Sequence, residues 1–120
     1  MPDAIVDAHY NASINGITDA YFAAGRAEKL ITSDTTFQAA CENTHAIIVD
    51  PPRDGLHPDV VQFLIKLRKD KAYKLLYISC NPVTLARDIA VLSEVFSVRT
   101  LQAVDMFPHT HHIETICLLS

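Results

Sequence analysis

Cys80 stands where an apolar run, Leu75-Leu76-Tyr77-Ile78-Ser79, stops and Asn81-Pro82-Val83-Thr84-Leu85 opens a helix. Asn81 is a favourable N-cap, and Pro82 falls at the first helical position, where its missing N–H is no loss. A thiol just ahead of a helix N-terminus feels that end's partial positive charge, which suits a thiolate nucleophile. The same residue could equally be a small apolar plug, since free cysteine is often simply buried. Two further segments put reactive side chains at abrupt strand ends. Asp50-Pro51-Pro52-Arg53 follows the apolar run from His45 to Val49, and its two prolines forbid continuing the ladder, which strands the Asp50 carboxylate at the sheet edge. Phe107-Pro108-His109-Thr110-His111-His112-Ile113-Glu114 leads into the last apolar run. A thiol, two carboxylates and a guanidinium on one edge could perform nucleophilic and general acid–base chemistry. Taken singly, Asp50 could cap the turn at Pro51-Pro52, and Glu114 could be a solvated strand residue.

The elements that must position these groups alternate. Residues 3–15 read as a helix closed by Asn15-Gly16, and residues 17–24 as a short strand ending at Gly25. Arg26 to Leu30 is a loop or helical turn, and a helix spans 34–42. A strand over 45–49 is followed by a helix opened by Pro58, in which Val60, Val61, Leu64 and Leu67 share a face. Strand 74–79 is followed by helix 82–94, whose apolar face carries Leu85, Ile89, Leu92 and Phe96. Residues 97–105 and 113–119 are strands with no helix between them, so they pair antiparallel. The alternation predicts a parallel sheet with helices on both faces. The crossover rule then brings Asp50 and Cys80 to one rim, and Glu114 reaches it if the last strand runs antiparallel.

His109 and His111 would share a face in an extended segment, but two imidazoles without a further ligand are a weak zinc signal, and a role in positioning the loop fits better. Cys41 and Cys117 read as packing residues, because neither sits at a strand-to-helix turn. Arg87-Asp88 read as a helix-surface or local ion pair. At 120 residues, 49% hydrophobic and 20% charged, the chain is one ordinary globular domain at most, short for a complete doubly wound α/β enzyme. It carries no run long enough to cross a bilayer and no signal peptide. Three cysteines without CxxC spacing fit a reducing cytoplasm. A net charge of -4 argues against a self-sufficient nucleic-acid binder, because phosphate contacts need a basic surface.

Three blocks carry a resemblance. Asp50-Pro51-Pro52-Arg53-x-Gly55, Ser79-Cys80-Asn81-Pro82-x-Thr84-x-Ala86-Arg87-Asp88 and Asp105-Met106-Phe107-Pro108-x-Thr110-x-His112-x-Glu114 resemble the signature blocks of the RNA 5-methyluridine methyltransferases. Upstream, Asn11-Ala12-x-x-Asn15-Gly16-Ile17 and Gly25-x-Ala27-Glu28 are similar to that family too. The resemblance implies an α/β, Rossmann-like, S-adenosylmethionine-dependent methyltransferase fold, of which residues 1–120 form the C-terminal portion of the catalytic domain. It implies Cys80 as the nucleophile that adds to uracil C6 and Glu114 as the base that removes the C5 proton. It implies Asp50 at the cofactor, and Arg53 and Asn81 at the RNA substrate. Asp-Pro-Pro followed by an aromatic residue would instead suggest methylation of an exocyclic amine, and Arg53 stands in that place. The Asp105-to-Thr110 version leans toward ribosomal RNA over tRNA as substrate.

The chain departs from the family in two ways. None of Gly16, Gly25 and Gly55 forms a GxG cofactor loop after a strand, and no second strand ends in a ribose-binding acid. The upstream RNA-binding region is absent as well. The chain is therefore expected to need its N-terminal half, and alone to be inactive or weakly active and unstable or associated, with apolar sheet edges uncovered. A second reading is a non-catalytic remnant or interaction module that keeps the fold. A third is a methyltransferase of similar fold acting on another substrate.

Overall fold

The computed structural model describes residues 2–106, 108–110 and 113–120. Phe107, His111 and His112 lie outside the described residues. The chain divides into two compact units, 1–39 and 40–120, with the boundary inside one helix.

The first unit holds α1 (Pro2–Ile14) and α2 (Ala27–Ser33), and α3 (Thr35–Asn43) starts in it. The Arg26–Leu30 turn thus grows into a two-turn helix. Asp34 caps α3, accepting the Phe37 N–H at 2.9 Å, and also takes the Tyr21 hydroxyl at 2.8 Å. Those two donors, the Phe37 N–H first, hold its carboxyl below the usual carboxylate range. Residues 17–24, read as a strand from their composition, stay irregular. A strand exists only by hydrogen-bonding a neighbour, and every strand of the sheet falls between residues 46 and 119. The segment is pinned instead by the Tyr21–Asp34 bond and by His9 edge-on to Phe22 at 5.0 Å.

The second unit is a four-stranded sheet with two crossover helices. β1 (Ala46–Val49) leads through α4 (Pro58–Asp70) to β2 (Lys74–Ser79), which leads through α5 (Pro82–Leu92) to β3 (Val98–Val104). β4 (Glu114–Leu119) then inserts between β2 and β3, giving the order β1-β2-β4-β3. β1 is parallel to β2, while β4 is antiparallel to both its neighbours. Three strands therefore run one way and β4 alone runs back. Pattern reading reaches the antiparallel pairing of the last two strands, but not that β4 enters the sheet's interior.

Period-two burial shows which face is the core. Leu75, Tyr77 and Ser79 alternate with less buried neighbours, and their register partners Leu119, Cys117 and Thr115 are buried on the same side. Against them lie Val60, Val61, Leu64, Ile65 and Leu67 of α4, with Leu85 and Leu92 of α5. The two crossovers step in the same direction across the sheet, so equal handedness puts both helices on one face, and they touch each other. The alternation suggested helices on both faces; within residues 40–120 the two crossover helices share one. Tyr73 closes the bottom of this core, donating its hydroxyl to the Leu64 carbonyl at 2.8 Å and meeting Phe96 edge-on. Cys117 is fully buried, and burial raises its thiol, as it does that of half-buried Cys41. Both are packing residues. Among the described residues no helix is long and apolar enough to cross a membrane.

Candidate active site

The ends of three strands assemble one rim. β2 stops at Ser79, which pairs with Thr115, so Cys80, the next residue, and Glu114, the first residue of β4, both lie at this edge. On the other flank Val49 lies beside Tyr77, so Asp50 leaves β1 at the same edge. β3 ends there too, with Val104 opposite Glu114. Cys80 and Glu114 are half-buried, whereas Asp50 and Arg53 are exposed. Among the described residues the Arg53 guanidinium has no hydrogen-bond or ion-pair partner.

Cys80 owes its position to the two residues around it. The Ser79 hydroxyl, only 3% exposed, accepts the Asn81 N–H at 3.1 Å and lies 2.9 Å from the Asn81 carbonyl, bracing the turn that carries Cys80. Asn81 keeps an extended backbone, and its Oδ1 accepts the Val83 N–H at 3.1 Å, capping α5 ahead of Pro82. Its Nδ2 donates to the Arg53 carbonyl at 2.9 Å. Both ends of the Asn81 amide are thus engaged inside the protein.

The loop that carries Asp50 and Arg53 is held by α5. Thr84 Oγ1 lies 3.1 Å from the Arg53 carbonyl, which already accepts from Asn81. Arg87 donates to the Asp54 carbonyl at 2.9 Å and to Asp88 Oδ1 through Nε and Nη2, at 2.9 and 2.8 Å. Asp88 Oδ2 accepts the Leu56 N–H at 2.8 Å and the Tyr77 hydroxyl at 2.7 Å. A carboxylate that is 3% exposed therefore receives four donors, which is how a buried charge is tolerated. Burial, and then the Asp88 carboxylate, push the Tyr77 phenol well above its ordinary value. The surface role read for Asp88 from sequence is corrected: it belongs to the core. Its spacing carried that signal, since Asp88 lies three residues past Leu85 and four before Leu92, both buried.

Gly55 closes the loop at φ +79°, where its N–H reaches the Pro52 carbonyl at 2.9 Å. A Cβ there would come within 2.6 Å of both Arg87 Nη2 and Asp88 Oδ2. Gly55→Ala is expected to destabilise the protein by about 1–2 kcal/mol from the left-handed backbone alone, and by more from displacing the ion pair. A lowered urea midpoint checks this; an unchanged midpoint would mean that the loop can rise off the helix freely.

His109 is exposed and His111 lies outside the described residues, so the pairing considered for a metal is not described. Among the described residues no three or more His, Cys, Asp or Glu side chains are grouped to hold a metal ion.

Comparison with known proteins gives a consistent picture. A family model for tRNA (uracil-5-)-methyltransferase matches residues 6–120. A protein of Bacteroides thetaiotaomicron named as an uncharacterized RNA methyltransferase is 43% identical over 119 residues, covering 99% of this chain and 25% of its own length. One of Listeria innocua with a similar name is 41% identical over 119 residues, with the same coverage. Among solved structures, the tRNA (uracil-54, C5)-methyltransferase of Pyrococcus abyssi, crystallised with S-adenosyl-L-homocysteine, superposes with a TM-score of 0.78 at 34% identity. That match covers all of this chain and 27% of the Pyrococcus one. The chain thus spans about a quarter of the length of the relatives it matches.

Proposed function

The chain belongs to the tRNA (uracil-5-)-methyltransferase family, and from that premise we propose that it forms the nucleophile-bearing, C-terminal part of an enzyme that methylates C5 of a uridine in RNA. The observation that carries this reading is the register of β2 and β4, whose last pair, Ser79–Thr115, leaves Cys80 directly after β2 and Glu114 at the start of β4 on the same rim of the sheet. Uracil C5 is a poor nucleophile until C6 is attacked. In the proposed sequence the Cys80 thiolate bonds to C6, and the C5–C6 π electrons move into an enolate. S-adenosylmethionine, when bound, would supply an electrophilic methyl group to the enolate carbon C5, its S–CH3 bond breaking to leave S-adenosylhomocysteine. Glu114 then accepts the C5 proton, the C5–C6 double bond re-forms, and the C6–S bond breaks to return the thiolate.

The chain supplies little of a cofactor site itself. Asp50, exposed at the end of β1, is the group assigned to the cofactor; the glycine between β1 and α4, Gly55, belongs to no GxG turn and is packed against Thr84, Arg87 and Asp88. Upstream polypeptide would have to supply the remainder. Arg53, exposed and unpaired, fits contact with an RNA phosphate or orientation of the base. Asn81 fits positioning of Arg53 better than direct contact, because both ends of its amide are engaged.

The test is nucleoside mass spectrometry after incubating the full-length gene product with S-adenosylmethionine and in vitro-transcribed ribosomal RNA or tRNA. The expected product is 5-methyluridine in one of the two RNAs. The Asp105-to-Thr110 motif leans toward ribosomal RNA, whereas the Pyrococcus relative is named for tRNA, so the two are assayed separately. Absence of 5-methyluridine from both would overturn the reading and favour a remnant that keeps the fold without the chemistry.

A further inference from the structure

The two segments that bear chemistry, residues 50–56 and 79–81, do not touch through the sheet ladder beyond Val49 and Tyr77. What joins them is one side of α5, the helix that begins immediately after Cys80. Asn81, Thr84, Arg87 and Asp88 fall at spacings of three and four, so they share a face over two turns. That face meets the loop backbone at three positions: Asn81 and Thr84 at the Arg53 carbonyl, Arg87 at the Asp54 carbonyl, and Asp88 at the Leu56 N–H. The loop lies so close that Gly55 has no room for a Cβ against Thr84, Arg87 and Asp88. Asp88 in turn is anchored from beneath by Tyr77, which is fully buried in the central strand that ends next to Cys80. The loop, the helix N-terminus and the strand end form one braced body.

We propose that Thr84, Arg87 and Asp88 are positioning residues that lock the backbone of Arg53 to the helix following Cys80, so that the Arg53 guanidinium meets an RNA phosphate at a fixed distance from the nucleophile. This rests on the RNA-methyltransferase reading and adds to it how the substrate's position is set. The Arg53 side chain is itself exposed and has no partner among the described residues, while its carbonyl lies within reach of Asn81 Nδ2 and Thr84 Oγ1, so the main chain is held and the cation left open. A guanidinium on a held backbone loses less freedom on gripping a phosphate than one on a mobile loop, so more of the contact's energy remains for alignment. Misplacement by an ångström can lower a rate by about a hundredfold.

Asp88 variants lose stability as well as position, so the deciding variants are Thr84→Val, which removes a hydroxyl at nearly constant volume at a half-buried site, and Arg53→Ala. Both are made in the full-length gene product, singly and together. The substrate is an in vitro-transcribed RNA that the wild-type protein methylates. R53A should weaken RNA affinity and make its dependence on log salt shallower by about 0.7, one phosphate contact's share on a single strand. T84V should lower kcat/KM about tenfold, shift the salt slope toward that of R53A, and leave the melting temperature near the wild-type value. In the R53A background T84V should cost nothing further, because the group that it positions is gone. If T84V lowers kcat/KM by the same factor in both backgrounds, or in neither, Thr84 acts only on the fold and the proposal is overturned while the methyltransferase reading stands. If the wild-type protein methylates no RNA, the reading fails and the proposal falls with it.

Discussion

Cys80→Ala is expected to lower 5-methyluridine formation by about four orders of magnitude or more, since loss of a covalent nucleophile removes the pathway and does not merely slow it. The same change should scarcely affect stability. Cys80 is half-buried, lies outside both β2 and α5, and the turn around it is braced by Ser79 and Asn81 independently of its thiol. Cys117→Ala gives the contrast. It empties a fully buried site in the central antiparallel strand, so stability falls while the chemistry of the rim is untouched. The pair separates a cysteine that reacts from one that packs. The expected measurements are turnover by nucleoside mass spectrometry and urea midpoints for each variant. A Cys80→Ala protein that still turns over would remove the thiol from the mechanism.

Asp88→Ala is expected to destabilise the protein by about 2–6 kcal/mol. Two buried donors, the Leu56 N–H and the Tyr77 hydroxyl, lose their acceptor together, and each stranded donor costs about 1–3 kcal/mol. Arg87 adds less, because its side chain is about half exposed and water can replace the carboxylate. Asp88→Asn should be milder, since the amide keeps an oxygen for the Leu56 N–H. Tyr77→Phe combined with Asp88→Ala should recover part of the loss by removing one of the stranded donors. Urea unfolding with unchanged m-values reads these differences as midpoints. Equal midpoints for Asp88→Ala and wild type would show that the carboxylate is not the keystone between loop and helix.

What was legible in the sequence follows from how local each signal is. The strand ending at Ser79 and the helix starting at Pro82 announce themselves through an apolar run, an N-cap and a first-turn proline, all within ten residues. Placing Cys80 and Glu114 at one rim needed only the direction of β4. The insertion of β4 between β2 and β3 is a non-local choice that no periodicity records. Residues 17–24 have strand composition, but composition cannot create a hydrogen-bonding neighbour. Asp88 was obscured because a charged residue inside a helix ordinarily faces water; its partners, Leu56 and Tyr77, lie 32 and 11 residues away. Arg53 was visible as a residue type, whereas the hold on its carbonyl by Asn81 and Thr84 depends on folding across 28 and 31 residues.

The most direct test of the account is to incubate the full-length gene product with S-adenosylmethionine and RNA transcribed with 5-fluorouridine. In the proposed sequence the C5 proton leaves to Glu114; fluorine at C5 cannot leave as a cation in that way, so an adduct formed at C6 would not be resolved. The prediction is a protein–RNA species that survives denaturation, with the modified peptide mapping to Cys80 and no such species from Cys80→Ala. A covalent species that maps elsewhere, or 5-methyluridine formed from ordinary RNA with no adduct at Cys80, would contradict it.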